Sequence, residues 1–211
     1  MIIAVDGPAA SGKGTLARRL ATHFGFAYLD TGKIYRAVGC RVLDADGDPE
    51  DQEAALSAAE ALQPGDLNNS NLTSDRAAVA ASKVAAMEPV RTVLLGFQQV
   101  FAANPPNGAS GVVLDGRDIG TVVCPDAAVK LFVTAAIEER AERRHKELLD
   151  KGEPSIYSRV LQALKDRDAR DIKRSAAPLV AAPDAILVDT TAMDPDEAFA
   201  SVLDSIRHIT G

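Results

Sequence analysis

"IIAVDGPAASGKGTLARRL", Ile2–Leu20, decides the fold class, because it passes from a short β-branched strand through a glycine-rich loop into a helix. In such a loop the glycines let backbone N–H groups turn towards phosphate oxygens, and the helix N-terminus adds partial positive charge. Lys13 stands where its ammonium group can bridge the terminal phosphates. The alternative is a glycine-rich turn with a surface lysine, but spacing and context both favour a nucleoside triphosphate site on Gly7–Thr15.

The residue after Lys13 separates two classes of phosphate loop. The usual pattern puts Ser or Thr there, where the hydroxyl can hold magnesium. Here Gly14 intervenes and Thr15 follows. One helical step turns a side chain by about 100°, so we expect Thr15 to face a different phosphate. This "GKGT" order is closer to the loop of nucleoside monophosphate kinases than to the loop of GTPase switches.

Composition excludes several classes of partner. A net charge of −7 over 211 residues argues against a nucleic-acid binder, because phosphate contacts need Lys and Arg. No apolar run approaches the roughly 18 residues of a membrane span, so we expect no membrane partner. Cys40 and Cys124 are too few and too far apart for a disulfide framework or a metal cluster. We expect two reduced thiols in a cytoplasmic protein.

Four more segments read as short buried strands, and helical segments separate them. This alternation predicts a three-layer α/β/α fold around a five-stranded parallel sheet, closed by a helix over residues 195–209. The further strands are "FAYLD" at residues 26–30, "GVVL" at Gly111–Leu114, "AVKLFV" at Ala128–Val133 and "AILVD" from Ala185.

"LDTGKIYRA", Leu29–Ala37, follows the second strand. Thr31 can cap a helix there, and Arg36 then lies more than one turn inside that helix. An exposed arginine on a capped helix is the plain alternative. Because ligands of open α/β sheets bind at the carboxyl edge of the strands, Arg36 beside a phosphate loop can instead reach a second anionic substrate.

"VVLDGRDIGTVV", Val112–Val123, places two acids and an arginine within four residues at the end of a strand. Asp115 stands where a carboxylate that holds magnesium or its waters would stand. The alternative is a polar turn for which Gly116 supplies the flexibility. The density of charge at the edge where the phosphate loop opens favours a functional role.

A basic block spans Glu138–Arg174, with 11 of the 23 Lys and Arg residues against 9 of the 30 acids. Arg167, Arg170 and Arg174 recur at helical spacing on one face, with Asp171 alongside. A solvated face with Glu–Arg pairs accounts for some of these residues. Three arginines in one stripe repel each other, and a bound polyphosphate would relieve that repulsion.

Together these motifs resemble the bacterial cytidylate kinase family of nucleoside monophosphate kinases. The matching segments, in order, are "DGPAASGKGT", "LDTGKIYR", "AASKVAAMEPVR", "DGRDIGTVV", "PDAAVKLF", "EERAERR" and "RDARDIKRSAAPL". The resemblance implies a P-loop kinase with a helical lid, which transfers the γ-phosphoryl group of ATP to CMP or dCMP with Mg²⁺. It also implies a cytoplasmic protein, which we expect to be a monomer.

The resemblance implies one domain over 1–211, with a core (1–35, 105–136 and 175–211), a monophosphate-binding region (36–104) and a lid (about 137–174). Better-known members carry extra strands in the monophosphate-binding region. Here the corresponding piece is "QPGDLNNSNLTSD", Gln63–Asp75, which is a loop by composition and predicts a shortened insertion without much sheet.

The resemblance also implies residue roles. Three cations, Arg36, Arg117 and Arg174, would neutralise the monophosphate, while Arg167 and Asp171 would engage the sugar hydroxyls. Phosphoryl transfer would depend on Lys13, Arg117, Arg170 and Arg174. ATP would bind Gly7, Pro8, Ala9, Ala10, Ser11, Gly12, Lys13, Gly14 and Thr15. CMP would bind Thr31, Arg36, Ser82, Arg91, Arg117, Asp118, Arg167, Asp171 and Arg174.

Ser82, Arg91 and Asp118 would read the base under the same resemblance. A carboxylate at Asp118 can accept from the amino group of cytosine, while Arg91 donates to the ring acceptors. Uracil would turn a carbonyl oxygen towards Asp118, which leaves a repulsive contact.

Two other functions remain open on the residues alone. One is a kinase of a different small acceptor, such as another nucleotide or a carboxylated metabolite. The other is a nucleotide-binding switch that hydrolyses slowly, against which stand the position of Gly14 and the lack of a guanine-reading "NKxD" stretch.

Overall fold

The computed structural model describes residues 1–210, apart from the side chains at positions 64, 68, 70 and 208–210. The expected core segment 175–211 therefore ends with one residue, Gly211, outside the described residues. Within that range lie five strands: β1 (Ile2–Asp6), β2 (Ala27–Asp30), β3 (Val112–Gly116), β4 (Val129–Thr134) and β5 (Ile186–Asp189). The eight α-helices of the described chain are α1 (Lys13–Phe24), α2 (Thr31–Asp44), α3 (Gln52–Glu60), α4 (Asp75–Val84), α5 (Glu88–Ala103), α6 (Ile137–Asp150), α7 (Tyr157–Lys173) and α8 (Pro195–Thr210).

The five strands form one parallel sheet in the order β2-β3-β1-β4-β5, which confirms the predicted fold class. β1 lies at the centre and alternates between the two faces. Ile3 and Val5 pack into a core with α1 and α8, whereas Ala4 faces a second core built largely from α2 and α5. This alternation with period two gives each face of the sheet its own apolar layer.

Helix α1 follows the predicted pattern. Leu16 and Leu20 are buried against the sheet, and the helix begins at Lys13, directly after the glycine-rich loop. Gly25 ends it in a left-handed conformation with φ 65°, as a C-terminal glycine cap does.

The segment between β2 and β3 is helical. No described residue between Asp30 and Val112 is in a strand, and the piece Gln63–Asp75 forms two short 3₁₀ turns before α4. Helices α2 and α4 approach closely, because a Cβ atom on Gly39 would lie 2.7 Å from the Cβ of Ala80. The expected loss of sheet in the shortened insertion is confirmed.

Helices α6 and α7, which occupy the region predicted as a helical lid, pack on each other. Arg140 of α6 is buried and donates to Asp168 of α7 at 2.6 Å and to the carbonyl oxygen of Ala9 at 3.1 Å. These contacts tie the helical pair to the glycine-rich loop. Arg174, expected on the same helical face as Arg167, lies just beyond the end of α7 as its C-terminal cap.

We predict that Gly7→Ala destabilises the fold far more than Gly25→Ala does. Gly7 has φ 149°, and an added Cβ would lie 2.0 Å from the carbonyl oxygen of Val133, so we expect a loss of about 3 kcal/mol or more. At Gly25, with φ 65° and no heavy atom within 4 Å, the left-handed backbone alone costs about 1 kcal/mol. Urea unfolding of the two variants measures the difference, and equal losses would contradict the close packing at Gly7.

Candidate active site

Two cavities lie at the carboxyl edge of the sheet and meet at the glycine-rich loop. The first, of about 320 Å³, is the phosphate-loop cavity, and it is lined by residues 10–16, by part of α6 and by residues that follow β5. The second, of about 240 Å³, is the arginine cavity, and it is lined by residues of α2, α4, α5, α7 and the end of β3. Lys13 and Gly14 line both cavities. A phosphoryl donor bound in one cavity can therefore face a phosphoryl acceptor bound in the other.

The glycine-rich loop is held in its shape by contacts from distant parts of the chain. Thr190, after β5, donates to the carbonyl oxygen of Ser11 at 2.9 Å. Ala10 and Gly12 both have positive φ, 60° and 84°. Of the residues expected at ATP, those from Ala10 to Thr15 line the phosphate-loop cavity, Ala9 lines the arginine cavity, and Gly7 and Pro8 line neither.

Lys13 and Asp115 face each other where the cavities meet. The Nζ atom of Lys13 lies 3.7 Å from Oδ1 of Asp115, and both side chains are largely buried. Burial lowers the pKa of Lys13 to about 8, and the charge of Arg117 acts in the same direction. Burial also raises the pKa of Asp115, although Lys13 opposes that rise. Tyr28 donates to Oδ2 of Asp115 at 3.3 Å, whereas Oδ1 has no hydrogen-bond partner.

The arginine cavity brings together residues that lie far apart in the sequence. Its walls include all nine residues expected at CMP: Thr31, Arg36, Ser82, Arg91, Arg117, Asp118, Arg167, Asp171 and Arg174. The role of each residue stays a prediction.

Carboxylates hold the arginines of this cavity in place. Arg36 donates to Asp30 at 2.8 Å, and Arg117 donates through Nε to Asp171 at 3.0 Å. Burial alone would raise the pKa of Asp171, but the charge of Arg117 and of the neighbouring arginines brings it below its ordinary value. Burial lowers the pKa of Arg167 to about 10, and repulsion from Arg117 adds to the effect.

Three buried guanidinium nitrogen atoms of the cavity have no hydrogen-bond partner. They are Nε of Arg36, Nε of Arg167 and Nη2 of Arg174. Unpaired donors on crowded guanidinium groups form an incomplete site for an anion. A phosphate dianion would both satisfy these donors and relieve the repulsion between the arginines.

Asp118 also lines the arginine cavity and is 5 % exposed. Nη2 of Arg91 donates to its Oδ2 atom, and Nη2 of Arg174 lies 3.6 Å from Oδ1. Arg91 also donates to the carbonyl oxygen of Ala85 at 3.2 Å and packs over the ring of Tyr35. A buried carboxylate beside an arginine can recognise a flat ring that carries both donors and acceptors.

Arg170 lies outside the arginine cavity but lines a neighbouring cavity together with Arg36 and Arg167. It is exposed, and its Nε atom donates to Oγ of Ser82 at 3.1 Å. This bond links α7 to α4 across the cleft between them. Its expected catalytic role stays a prediction.

One local expectation was wrong. Asp30, not Thr31, caps α2, because its Oδ1 atom accepts from the backbone N–H of Lys33 at 3.2 Å. Thr31 is the first residue of the helix and donates to the backbone carbonyl of Asp115 at 2.8 Å. Either residue type can cap a helix, and the sequence does not distinguish them.

Sequence reasoning missed several residues that line the phosphate-loop cavity. Arg143, Arg144, Thr190 and the segment 193–195 line it. The two arginines lie in the basic block, but nothing in their spacing assigns them to a nucleotide. The position of Thr190 directly after β5 was the available signal, because the carboxyl ends of parallel strands line ligand sites.

Comparison with known proteins identifies the family. The sequence matches the family model described as Cytidylate kinase over residues 3–208. The chain belongs to the cytidylate kinase family. A protein named cytidylate kinase from Paramagnetospirillum magneticum is 60 % identical over 202 residues, covering 96 % of this chain and 95 % of that protein. Another of that name from Rhodospirillum rubrum is 55 % identical over 208 residues, covering 99 % and 98 %.

These matches confirm the resemblance to the cytidylate kinase family over nearly all of the given chain. The solved structure of an uncharacterized protein from Eubacterium ventriosum has a TM-score of 0.55 to this chain at 16 % identity and covers 99 % of this chain and 98 % of that one, so the two share a fold. Across the residues described, no helix is both long and apolar enough to cross a membrane.

We predict that ATP affinity falls as the pH rises above about 8. The free protein holds Lys13 with a pKa of about 8, and only its charged form attracts a polyphosphate, so binding requires a proton that is progressively lost above that pH. ATP itself does not change its charge in this pH range, because its terminal phosphate has a pKa of about 6. Calorimetric titration with a non-hydrolysable ATP analogue across this range measures the effect.

The control for this titration is Lys13→Met, which should bind more weakly and without dependence on pH over the same range. A wild-type affinity that stays constant to about two pH units above the pKa of Lys13 would contradict the prediction.

Proposed function

We propose that this chain transfers the γ-phosphoryl group of ATP to CMP or dCMP, giving ADP and CDP or dCDP. The observation that carries the proposal is the pair of cavities that meet at Lys13, one beside the glycine-rich loop and the other surrounded by arginines. Membership of the cytidylate kinase family supports the choice of acceptor.

The acceptor supplies its own nucleophile. A nucleoside monophosphate presents an anionic oxygen, so the reaction needs no strong general base. Arg36, Arg117 and Arg174 hold and neutralise that phosphate, while Lys13 binds the transferred group between donor and acceptor. Catalysis then consists of positioning and charge neutralisation in a site away from bulk water.

Asp115 is the residue that we assign to Mg²⁺ or to its water shell. Its Oδ1 atom is buried without a hydrogen-bond partner, and a Cβ atom on Gly14 would lie 3.0 Å from Oδ2, so the carboxylate lies against the loop. No group of three or more metal-binding side chains occurs among the described residues. One carboxylate with waters and substrate phosphates is the donor set that Mg²⁺ commonly uses in kinases. When bound, the ion would neutralise charge on the ATP phosphates.

Asp118 and Arg91 read the base in this proposal. The Asp118 carboxylate accepts from the amino group of cytosine, while Arg91 donates to the ring. Both groups are buried, so a base that leaves either of them unpaired is rejected strongly. Asp171 and Arg167 lie in the same cavity, and we assign them to the sugar hydroxyls.

Exclusion of water requires closure around the two substrates. We assign the core to 1–35, 105–136 and 175–211, the monophosphate-binding region to 36–104 and the lid to about 137–174. The lid carries Arg167 into the arginine cavity and Arg143 into the phosphate-loop cavity, so anions in either cavity attract it.

We assign the protein to the cytoplasm and regard it as a monomer. Residues of this one chain line both cavities, so no partner is needed to complete them. Both cysteines are buried as free thiols, which suits a reducing compartment. A net charge of −7 does not favour nucleic acid, whose phosphates attract Lys and Arg.

Release of ADP from ATP, measured with CMP, dCMP, UMP, AMP and shikimate in turn, tests the reaction. We expect fast turnover with the cytidine nucleotides only. UMP lacks the amino group that faces Asp118, shikimate lacks both this group and the phosphate, and AMP carries its amino group on a larger purine ring. Hydrolysis of ATP that does not depend on an acceptor would overturn the proposal and favour a nucleotide switch.

Asp118→Asn should reduce the preference for CMP over UMP by about ten- to hundredfold, since a charged hydrogen bond worth roughly 1.5–3 kcal/mol is lost. Binding of ATP should change little, because Asp118 lines only the arginine cavity. The measurement is kcat/KM for both acceptors.

Asp126→Asn is the matched control, since Asp126 is exposed and lines neither cavity. It should keep the preference of the wild type. If Asp118→Asn also keeps it, the base-reading role of Asp118 is wrong.

A further inference from the structure

Asp6 is a buried carboxylate that none of the roles above uses. It is the last residue of β1, directly before the glycine-rich loop, and it is 5 % exposed. Its two oxygens accept from two consecutive backbone amides: Oδ1 from Ile119 at 2.8 Å and Oδ2 from Gly120 at 2.8 Å. A carboxylate is retained in such a place only when its oxygens are satisfied.

The two amides belong to a short turn that follows Asp118. Residues Ile119–Val123 form a π-helical turn, in which the N–H of Val123 donates to the carbonyl of Asp118 at 3.1 Å and the N–H of Cys124 to the carbonyl of Ile119 at 2.7 Å. The first N–H groups of a helical turn have no acceptor within the turn itself. Asp6 supplies those acceptors from a position 113 residues earlier in the chain.

Close packing also restricts the backbone on both sides of Asp118. Ile119 is fully buried in the core, and a Cβ atom on Gly116 would lie 2.6 Å from Cδ1 of Ile119. Asp118 therefore lies between the end of β3 and a turn whose N-terminus is fixed by Asp6. A shift of the turn would move the Asp118 carboxylate relative to the base.

Burial and two nearby carboxylates oppose a negative charge on Asp6. The pKa of Asp6 is raised to about 7: burial is the main cause, the charges of Asp118 and Asp115 act in the same direction, and the hydrogen bonds from Gly120 and Ile119 oppose the rise. An apolar residue of similar size would avoid this desolvation cost. Such an apolar residue, however, could not accept hydrogen bonds from the two backbone amides of the turn.

We infer that Asp6 is a positioning residue for recognition of the base: it fixes the backbone that carries Asp118 relative to the glycine-rich loop. The two substrate sites are then joined by one strand, since the loop that would hold ATP begins one residue after Asp6. This inference rests on the proposed function for its consequence in catalysis, and on the hydrogen bonds alone for its structural part.

Asp6→Asn tests the inference, because asparagine keeps the size but turns an amide donor towards one of the two N–H groups. We expect KM for CMP to rise about tenfold and the preference for CMP over UMP to fall, while kcat at saturating CMP changes less than KM. The affinity for an ATP analogue without acceptor should change less than about twofold. If Asp6→Asn weakened the binding of CMP and of the ATP analogue equally, the positioning role would be wrong.

A double-mutant cycle sharpens the test. If Asp6 acts through Asp118, Asp6→Asn should take away little further preference once Asp118→Asn has removed it. Additive losses of preference in the double variant would contradict the inference.

Ile3→Val is the matched control for general destabilisation, since Ile3 is a fully buried residue of the same strand and lines neither cavity. It should leave the preference for CMP unchanged. Should Asp6→Asn prove too unstable to purify, Asp6→Ser, which is smaller and keeps one acceptor, is measured in the same assays.

Amide hydrogen exchange provides a readout that needs no substrate. The amides of Ile119 and Gly120 should exchange faster in Asp6→Asn than in the wild type, and they should be unaffected in Ile3→Val. A wild type without preference for CMP would refute the proposed function and leave the exchange result as the test of Asp6. A wild type with that preference, together with a variant that keeps both preference and protection, would refute the inference.

Discussion

Buried guanidinium groups require anionic partners, and the carboxylates that supply them determine how the elements around the arginine cavity are arranged. Asp30 at the start of α2 holds Arg36, Asp171 on α7 holds Arg117, and Asp118 after β3 is shared by two arginines. Each pair lies where water is largely excluded, so breaking one would leave a buried charge uncompensated. Two of these pairs join the segment after β3 to other elements: Arg91 and Asp118 join it to α5, and Arg117 and Asp171 join it to α7.

The same ion pairs leave some guanidinium donors of the arginine cavity free to bind an anion. The carboxylates satisfy only part of the N–H capacity, and unpaired donors remain on Arg36, Arg167 and Arg174. Because the pKa of Arg167 is lowered by burial and by its cationic neighbour, an additional negative charge is favourable there. A phosphate dianion would supply this charge.

Local sequence patterns predicted much of the fold. The apolar spacing of Leu16 and Leu20, the cap at Gly25 and the short β-branched strands all depend on neighbours within a few residues, and the structure has them as expected. The nine residues expected at CMP also line a single cavity, because the resemblance to a family carried tertiary information that spacing alone does not contain. The wrong cap at Thr31 shows the limit, since Asp30 next to it was equally capable.

The sequence by itself determined that a strand, a glycine-rich loop and a helix form a phosphate site, and that strands and helices alternate around a parallel sheet. These features follow from short-range conformational preferences and from the period of apolar residues. Only the tertiary structure decided the strand order β2-β3-β1-β4-β5, the carboxylate that each arginine meets, and the contact of Asp6 with the turn after Asp118. Such contacts join residues far apart in the chain, and their partners are chosen by packing and charge compensation, which no local pattern encodes.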